Sequence, residues 1–150
     1  MPVNEIEVDA PPKAVWEVLA HPPTYEEWVV GNKSIEDHDP KWPAPGTEFH
    51  HKVGFGPLAV RDKTVSLEAT QPHRLVMNVR ALPVGQGIVT IELTEQGGGT
   101  RVRMSECAAS GPVKKLWPLF SPLVKLRNAE TLRRLKRLAE RRHQAQLSGR

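Results

Sequence analysis

Apolar and polar positions alternate along most of the chain, and the alternation is interrupted by proline- and glycine-rich turns. Over residues 3–9, Ile6 and Val8 share one face, the pattern of a half-buried strand. Pro11 and Pro12 follow, and proline is favourable at the start of a helix because its missing N–H has no partner there. Val15, Trp16, Val18 and Leu19 supply the apolar face of that short helix, and His21-Pro22-Pro23 ends it. A second short helix is predicted over 24–28, with Thr24 as its N-cap. A weak strand around 34–38 leads into Pro40-Lys41-Trp42-Pro43-Ala44-Pro45-Gly46, a loop. From Thr47 onward the pattern is almost continuously β. Strands are predicted over 47–53 and 58–69, then through Leu75, Met77, Val79 and Ala81, through Val89, Ile91 and Leu93, and through Val102, Met104 and Glu106. Turns at 54–57, 71–72, 83–87 and 96–99 separate them. Such short connections mean a meandering antiparallel sheet.

The sheet is expected to end at Ala109-Ser110-Gly111-Pro112. The remainder is helical in pattern. Ser121-Pro122 reads as an N-cap followed by a first-turn proline, so the long helix is expected to begin there. Its inward stripe runs Val124, Asn128, Thr131, Leu135 and Leu138, with Leu132 and Ala139 beside it, at spacings of three and four. The fold class is therefore α+β: a curved antiparallel sheet of about seven strands, two short helices after the first strand, and a long C-terminal helix. One helix cannot cover the inner face of so wide a sheet. Aromatic residues make up only 5% of the chain, and several inward positions are of medium size (Val53, Val79, Ala81, Ile91, Ala108). A cavity between sheet and helix is expected.

Composition adds boundaries. A chain of 150 residues with 39% hydrophobic and 25% charged side chains fits one ordinary globular domain spanning 1–150. No apolar run approaches the roughly 20 residues of a membrane span. The first residues, Met-Pro-Val-Asn-Glu, lack a basic and apolar leader, and the lone Cys107 excludes an intrachain disulfide, so a cytoplasmic location is expected. The net charge of +4 is unevenly placed. Residues 112–150 hold 11 Lys and Arg against 2 Asp and Glu, whereas the preceding residues hold 10 against 15.

Four stretches carry a resemblance: Ile6-Glu7-Val8-Asp9-Ala10-Pro11 running into Val15-Trp16, Trp42-Pro43-Ala44-Pro45-Gly46-Thr47, Gly97-Gly98-Gly99-Thr100-Arg101-Val102, and the basic amphipathic C-terminal helix. In this order they resemble the START-like superfamily, also called SRPBCC, and its polyketide cyclase/dehydrase and lipid transport branch in bacteria. None of them is a catalytic signature. The resemblance implies a helix-grip fold with a deep hydrophobic cavity, and functions ranging from lipid and hormone binding to aromatase and cyclase activity.

Candidate chemistry follows from which polar side chains point inward. On strand 47–53, His51 shares a face with Phe49 and Val53, where an imidazole could bind a ligand carbonyl or act as acid or base. The plainer reading is a structural histidine, or a register that turns His50 inward instead. Glu106 shares the face of Val102 and Met104, where desolvation would raise its pKa; a solvated carboxylate at the strand end is the alternative. Asn128, between Val124 and Thr131 on the inward stripe, completes a polar trio and requires hydrogen-bond partners if buried. Asp62, in a strand long enough to bend, is a weaker candidate. The apolar wall would comprise Phe49, Val53, Met77, Val79, Ile91 and Met104 from the sheet, Val124 from the helix and Phe120 just before it. Trp28, Trp42, Phe55 and Trp117 fall near loops, either rimming the mouth or anchoring the core.

A metal site is not expected. His50 and His51 are adjacent on a strand and point to opposite faces; the other histidines lack ligand spacing, and one cysteine excludes the usual zinc motifs. No nucleophile elbow, P-loop or dinucleotide fingerprint is present, and no cofactor is expected. The basic helix face (Arg133, Arg134, Lys136, Arg137, Arg141, Arg142) suits weak contact with anionic membranes, but lacks the aromatic interleaving of a nucleic-acid binder, so no nucleic acid is expected. A solvated helix face balanced by the acidic sheet is the stronger reading. The leading function is binding of a small hydrophobic molecule: a polyketide-like aromatic, lipid or isoprenoid. The rivals are a cyclase or dehydratase using His51 and Glu106 as an acid/base pair, and an interaction module acting through the basic helix.

Overall fold

The computed structural model describes residues 2–55, 58–81 and 85–149, and the side chains of 53–55, 58–60, 81 and 113 lie outside the described set. The chain runs β1 (Val3–Val8), α1 (Pro12–Leu19), a 3-10 turn (Pro22–Thr24), α2 (Tyr25–Trp28), β2 (Asn32–His38), β3 (Glu48–Phe55), β4 (Leu58–Thr70), β5 (Arg74–Ala81), β6 (Gly85–Gln96), β7 (Gly99–Ser110), α3 (Pro112–Lys115) and α4 (Trp117–Ser148). The seven strands form one antiparallel sheet in the order β1-β7-β6-β5-β4-β3-β2. After β1 the two short helices carry the chain to the far edge. From β2 it meanders back until β7 pairs with β1. The expected α+β architecture, sheet and helix-grip arrangement are all present.

Several boundaries differ from expectation: β2 begins at Asn32 and β3 runs to Phe55. The long helix begins at Trp117, not Ser121, with Pro118 in its first turn and Pro122 inside it. Pro122 removes the N–H that would reach the carbonyl of Pro118, an exposed residue whose oxygen water can serve. The proline therefore costs one solvated bond without ending the helix. The sheet also extends further at one turn, β6 starting inside the expected 83–87 turn, while β7 ends at Ser110 as expected. The β6–β7 hairpin turns on Gly97 and Gly98, both with positive φ (57° and 85°), the geometry that a two-residue turn matching strand twist requires.

The ladders define rows across the inner face. Asn4, Met104, Ile91 and Leu75 lie in one row, Glu106, Val89, Met77 and Ser66 in the next, and Ala108, Gly87, Val79, Thr64 and Phe49 in a third. Leu75, Ile91, Leu93 and Val102 are fully buried, and Val15, Val18 and Leu19 of α1 join them in the core. Over the β2–β4 side sits an aromatic cluster. Tyr25 packs on Trp28 (4.6 Å between ring centres) and Phe49 (4.8 Å), and Trp42 meets Phe49 edge-on at 4.7 Å. Trp42 Nε1 donates to the carbonyl of Leu19 at 3.0 Å, tying the proline-rich loop to α1.

α4 lies over the other side, packing chiefly on β1, α1 and α2. Its buried residues begin at Asn128 and continue through Thr131, Leu132, Leu135, Leu138 and Ala139. The two ends of the sheet thus differ. The rows near the β6–β7 hairpin are sealed, whereas Val79, Glu106 and Ala108, towards α3, are only half-buried.

Candidate functional site

Alternation along β3 turns Phe49 and His51 inward and His50 outward, and the structure buries His51 while leaving His50 exposed. His51 is 2% exposed. Its Nε2 shares a hydrogen bond of 2.9 Å with Thr64 Oγ1 on β4, and its ring stands 5.5 Å from that of Phe49. Nδ1 is buried with no hydrogen-bond partner among the described residues. Burial holds the imidazole below its ordinary pKa, partly offset by the charge of Asp62 and then by the neighbouring Lys63 backbone. The ring is therefore neutral near neutral pH.

Asp62 is directly opposite His51 in the β3–β4 ladder. Its carboxylate is buried and pairs with Arg80 Nε at 2.5 Å, and it also accepts from the backbone N–H of Lys63 at 2.9 Å. This residue is the anchor of a charged pair.

A second polar group lies on the β1–β7–α4 side. Glu106, one row from Met104, has a side chain 13% exposed, and Arg127 Nη1 of α4 is 3.8 Å from its Oε1. Burial raises the Glu106 pKa, and the Arg127 charge pulls it back in part. Arg127 also donates through Nε to the carbonyl of Val30 at 2.9 Å, while Thr131 Oγ1 accepts from the N–H of Val30 at 3.2 Å. These bonds fix the α2–β2 bend against α4. Between them stands Asn128, 0% exposed. Its Oδ1 accepts from Arg127 Nη1 at 3.5 Å, and its Nδ2 has no partner among the described residues.

Asn4 was not among the expected site residues. It donates through Nδ2 to the carbonyl of Lys125 at 3.1 Å, and its Oδ1 is buried without a partner. The signal was present, because Asn4 shares the parity of Ile6 and Val8, whose inward face the strand pattern had already identified.

The trio is not gathered at one point. His51 bonds to Thr64, Glu106 faces Arg127, and four strand steps separate β3 from β7 in the sheet. Met77, Ile91 and Met104 are buried on the inner face, and Val79 and Val124 are half-buried. Trp28 sits inside the aromatic cluster, its Nε1 donating to Thr24 Oγ1 at 3.3 Å. Val53, Phe55 and Ala81 fall outside the described side chains. Phe120, expected in the wall, is 37% exposed near the start of α4, ahead of the residues that helix buries from Asn128 onward.

The basic helix face is largely engaged with its own acids. Glu130 pairs with Arg133, Arg134 and Arg137, and Glu140 with Lys136. An open groove of about 670 Å³ beside α2 is lined by Glu27, Arg134, Arg137, Leu138, Glu140 and Arg141. So charged a lining does not suit a hydrophobic guest. Among the described residues no group of three or more His, Cys, Asp or Glu is arranged to hold a metal ion, and no helix is long and apolar enough to cross a membrane.

Comparison with known proteins matches this architecture. A crystal structure of a Nitrosomonas europaea protein is similar, with a TM-score of 0.71 and 23% identity, covering 93% of this chain and 94% of that one. A Staphylococcus aureus protein of unknown function gives a TM-score of 0.72 at 14% identity, covering 95% of each chain. A Mesorhizobium loti protein gives 0.66 at 22% identity, covering 93% of this chain and 96% of that one. At such identities these likenesses establish the fold alone. No curated protein matches at a significant level. The family model described as polyketide cyclase / dehydrase and lipid transport matches residues 3–140. The START-like resemblance carried by the sequence motifs is thus borne out, and the chain belongs to the polyketide cyclase/dehydrase and lipid transport family.

Proposed function

We propose that the protein binds one small hydrophobic molecule between the inner face of the sheet and α4, admitted at the α3 end. A family described by polyketide cyclisation and lipid transport supports a hydrophobic cargo. Among the described residues four buried side-chain polar atoms lack a protein partner; Trp117 Nε1 lies at the start of α4, and the observation that carries the reading is the other three, Asn4 Oδ1, His51 Nδ1 and Asn128 Nδ2. Buried polar groups are nearly always hydrogen-bonded, and each exception requires a cause. Asn4 and Asn128 both lie where β1 meets α4, and a ligand hydroxyl or carbonyl there would satisfy them; His51 stands five strand steps away at the other side of the interior. An apolar enclosure with a few placed donors and acceptors is the usual form of a small-molecule site. The cargo class is a polyketide-like aromatic, a lipid or an isoprenoid carrying such a group.

Cyclase or dehydratase activity on the same cargo is the second reading. Burial raises the Glu106 pKa towards the range of a proton donor and lowers that of His51, which leaves a neutral imidazole as base. With strands about 4.8 Å apart, four steps correspond to roughly 19 Å along the sheet. One compact substrate would not meet both groups unless the curvature folds them together, whereas an extended polyketide chain would.

Native mass spectrometry of protein purified from its own host, followed by extraction, tests the proposal. A stoichiometric hydrophobic adduct that leaves on denaturation is expected. Protein that carries no adduct and takes up neither a long-chain lipid, an isoprenoid quinone nor an aromatic polyketide would overturn it.

A further inference from the structure

The first turns of α4 bury little, yet they are apolar. Leu119 and Leu126 are each 71% exposed and Leu123 64%, with Phe120 beside them and Leu116 just before the helix. At 100° per residue, positions 119, 120, 123 and 126 fall within an arc of about 120°, a continuous stripe along one side of the helix. Exposed apolar patches of this kind mark interaction surfaces.

Charge selects the partner. Between residues 107 and 129 there are four basic side chains and no acidic one. Arg127 is engaged by Val30 and Glu106, which leaves the exposed Lys114 and Lys115 just before the stripe, while the exposed Lys125 lies about 100° beyond its edge. We infer that this surface docks on an anionic lipid bilayer, the leucines entering the acyl boundary and the lysines meeting the headgroups. Long lysine stems reach outward from such a seat while their ammonium groups stay hydrated. An isologous pairing with a second copy would bring two such acid-free segments together and so meets like charge with like. The paired arginines further along α4 take no part. α3, which leads into the stripe, packs on β6 and β7 beside the half-buried Glu106 and Ala108. Docking therefore places the less sealed end of the sheet near the lipid. The surface stands on its own exposure and charge and does not depend on what the interior holds.

Co-sedimentation of the full chain with vesicles of phosphatidylcholine, with and without phosphatidylglycerol, tests this. Binding is expected to the anionic vesicles, to weaken with salt, and to be abolished in the triple variant Leu119→Asn, Leu123→Asn, Leu126→Asn. These side chains contribute little to the core, and circular dichroism verifies that the variant is folded. Lys114→Gln and Lys115→Gln should each weaken binding about fivefold, since a lysine near an anionic surface contributes about 1 kcal/mol. Arg134→Gln, at an arginine paired with Glu130, should leave it unchanged. Failure to bind, or binding that survives the triple variant, would overturn the inference. So would a dimer in sedimentation equilibrium that the triple variant dissociates while the parent ignores vesicles.

Discussion

His51 and Thr64 are joined across β3 and β4 by a hydrogen bond of 2.9 Å that uses one ring nitrogen and leaves the other buried and unpartnered. The threonine therefore positions the imidazole within the buried inner face. Thr64→Val keeps the shape of the side chain but strands Nε2 as well. Leaving one more buried polar group unsatisfied costs about 1–3 kcal/mol, to be measured by urea unfolding at neutral pH. A loss below that range would mean that the imidazole finds another partner.

The depressed pKa of His51 sets a sign for pH dependence. Below its ordinary value of 6.5 the unfolded chain takes up a proton that the folded ring refuses. Stability should therefore fall as pH drops from 6.5 towards the lower folded value. His51→Gln should flatten that part of the unfolding profile. Glu106 acts in the opposite sense: its folded pKa lies above 4.5, so its contribution is present at acid pH and lost as pH rises through the raised value. Relative to the parent, Glu106→Gln should gain stability from pH 4.5 upward and then level off. Urea midpoints across this range, with the two variants side by side, check both signs.

Asn128 separates a ligand contact from a structural one. Replacing a buried polar group that lacks full partners by an apolar one of similar shape is close to neutral for stability. Asn128→Leu should therefore unfold within about 1 kcal/mol of the parent. It should bind the extracted cargo at least about tenfold more weakly, because the ligand loses a hydrogen bond of roughly 1.4 kcal/mol or more. Thermal unfolding and a binding titration together decide. Large destabilisation with unchanged affinity would assign the amide to the scaffold.

Asp62 and Arg80 make the opposite kind of pair. The Asp62 carboxylate is buried while Arg80 remains about a third exposed. Arg80→Met leaves the carboxylate without its guanidinium. The 3–5 kcal/mol typical of a broken buried pair shrinks to about 1–3 kcal/mol because one partner is solvated. The double variant with Asp62→Asn should recover part of that loss, which denaturant unfolding would show.

Much of this was legible in the alternation itself. Period-two stretches bounded by Gly and Pro located the later strands, and the stripe from Asn128 to Leu138 identified the buried side of α4. Parity also turned His51 inward and His50 outward. Three things escaped. Pro122 marked a helix start in pattern, but a proline near an exposed first turn costs too little to act as one. Phe120 joined the expected wall on its apolar character, which does not reveal exposure, and it is 37% exposed. Asn4 had the right parity and was passed over because a single polar residue near a terminus carries no pattern. Which polar groups meet is a tertiary property: strand order separates His51 from Glu106, and no local spacing encodes that distance.

The central claim is that the cargo lies inside the sheet. Methyl NMR of the full chain, with the extracted adduct or an isoprenoid quinone added in detergent-free buffer, tests it most directly. The account predicts large shifts and intermolecular contacts at Met77, Ile91 and Met104, weaker ones in Asn128→Leu, and none at the exposed Leu67. Shifts confined to Leu119, Leu123 and Leu126, with Met77 and Met104 unmoved, would contradict it and leave only a surface that touches lipid.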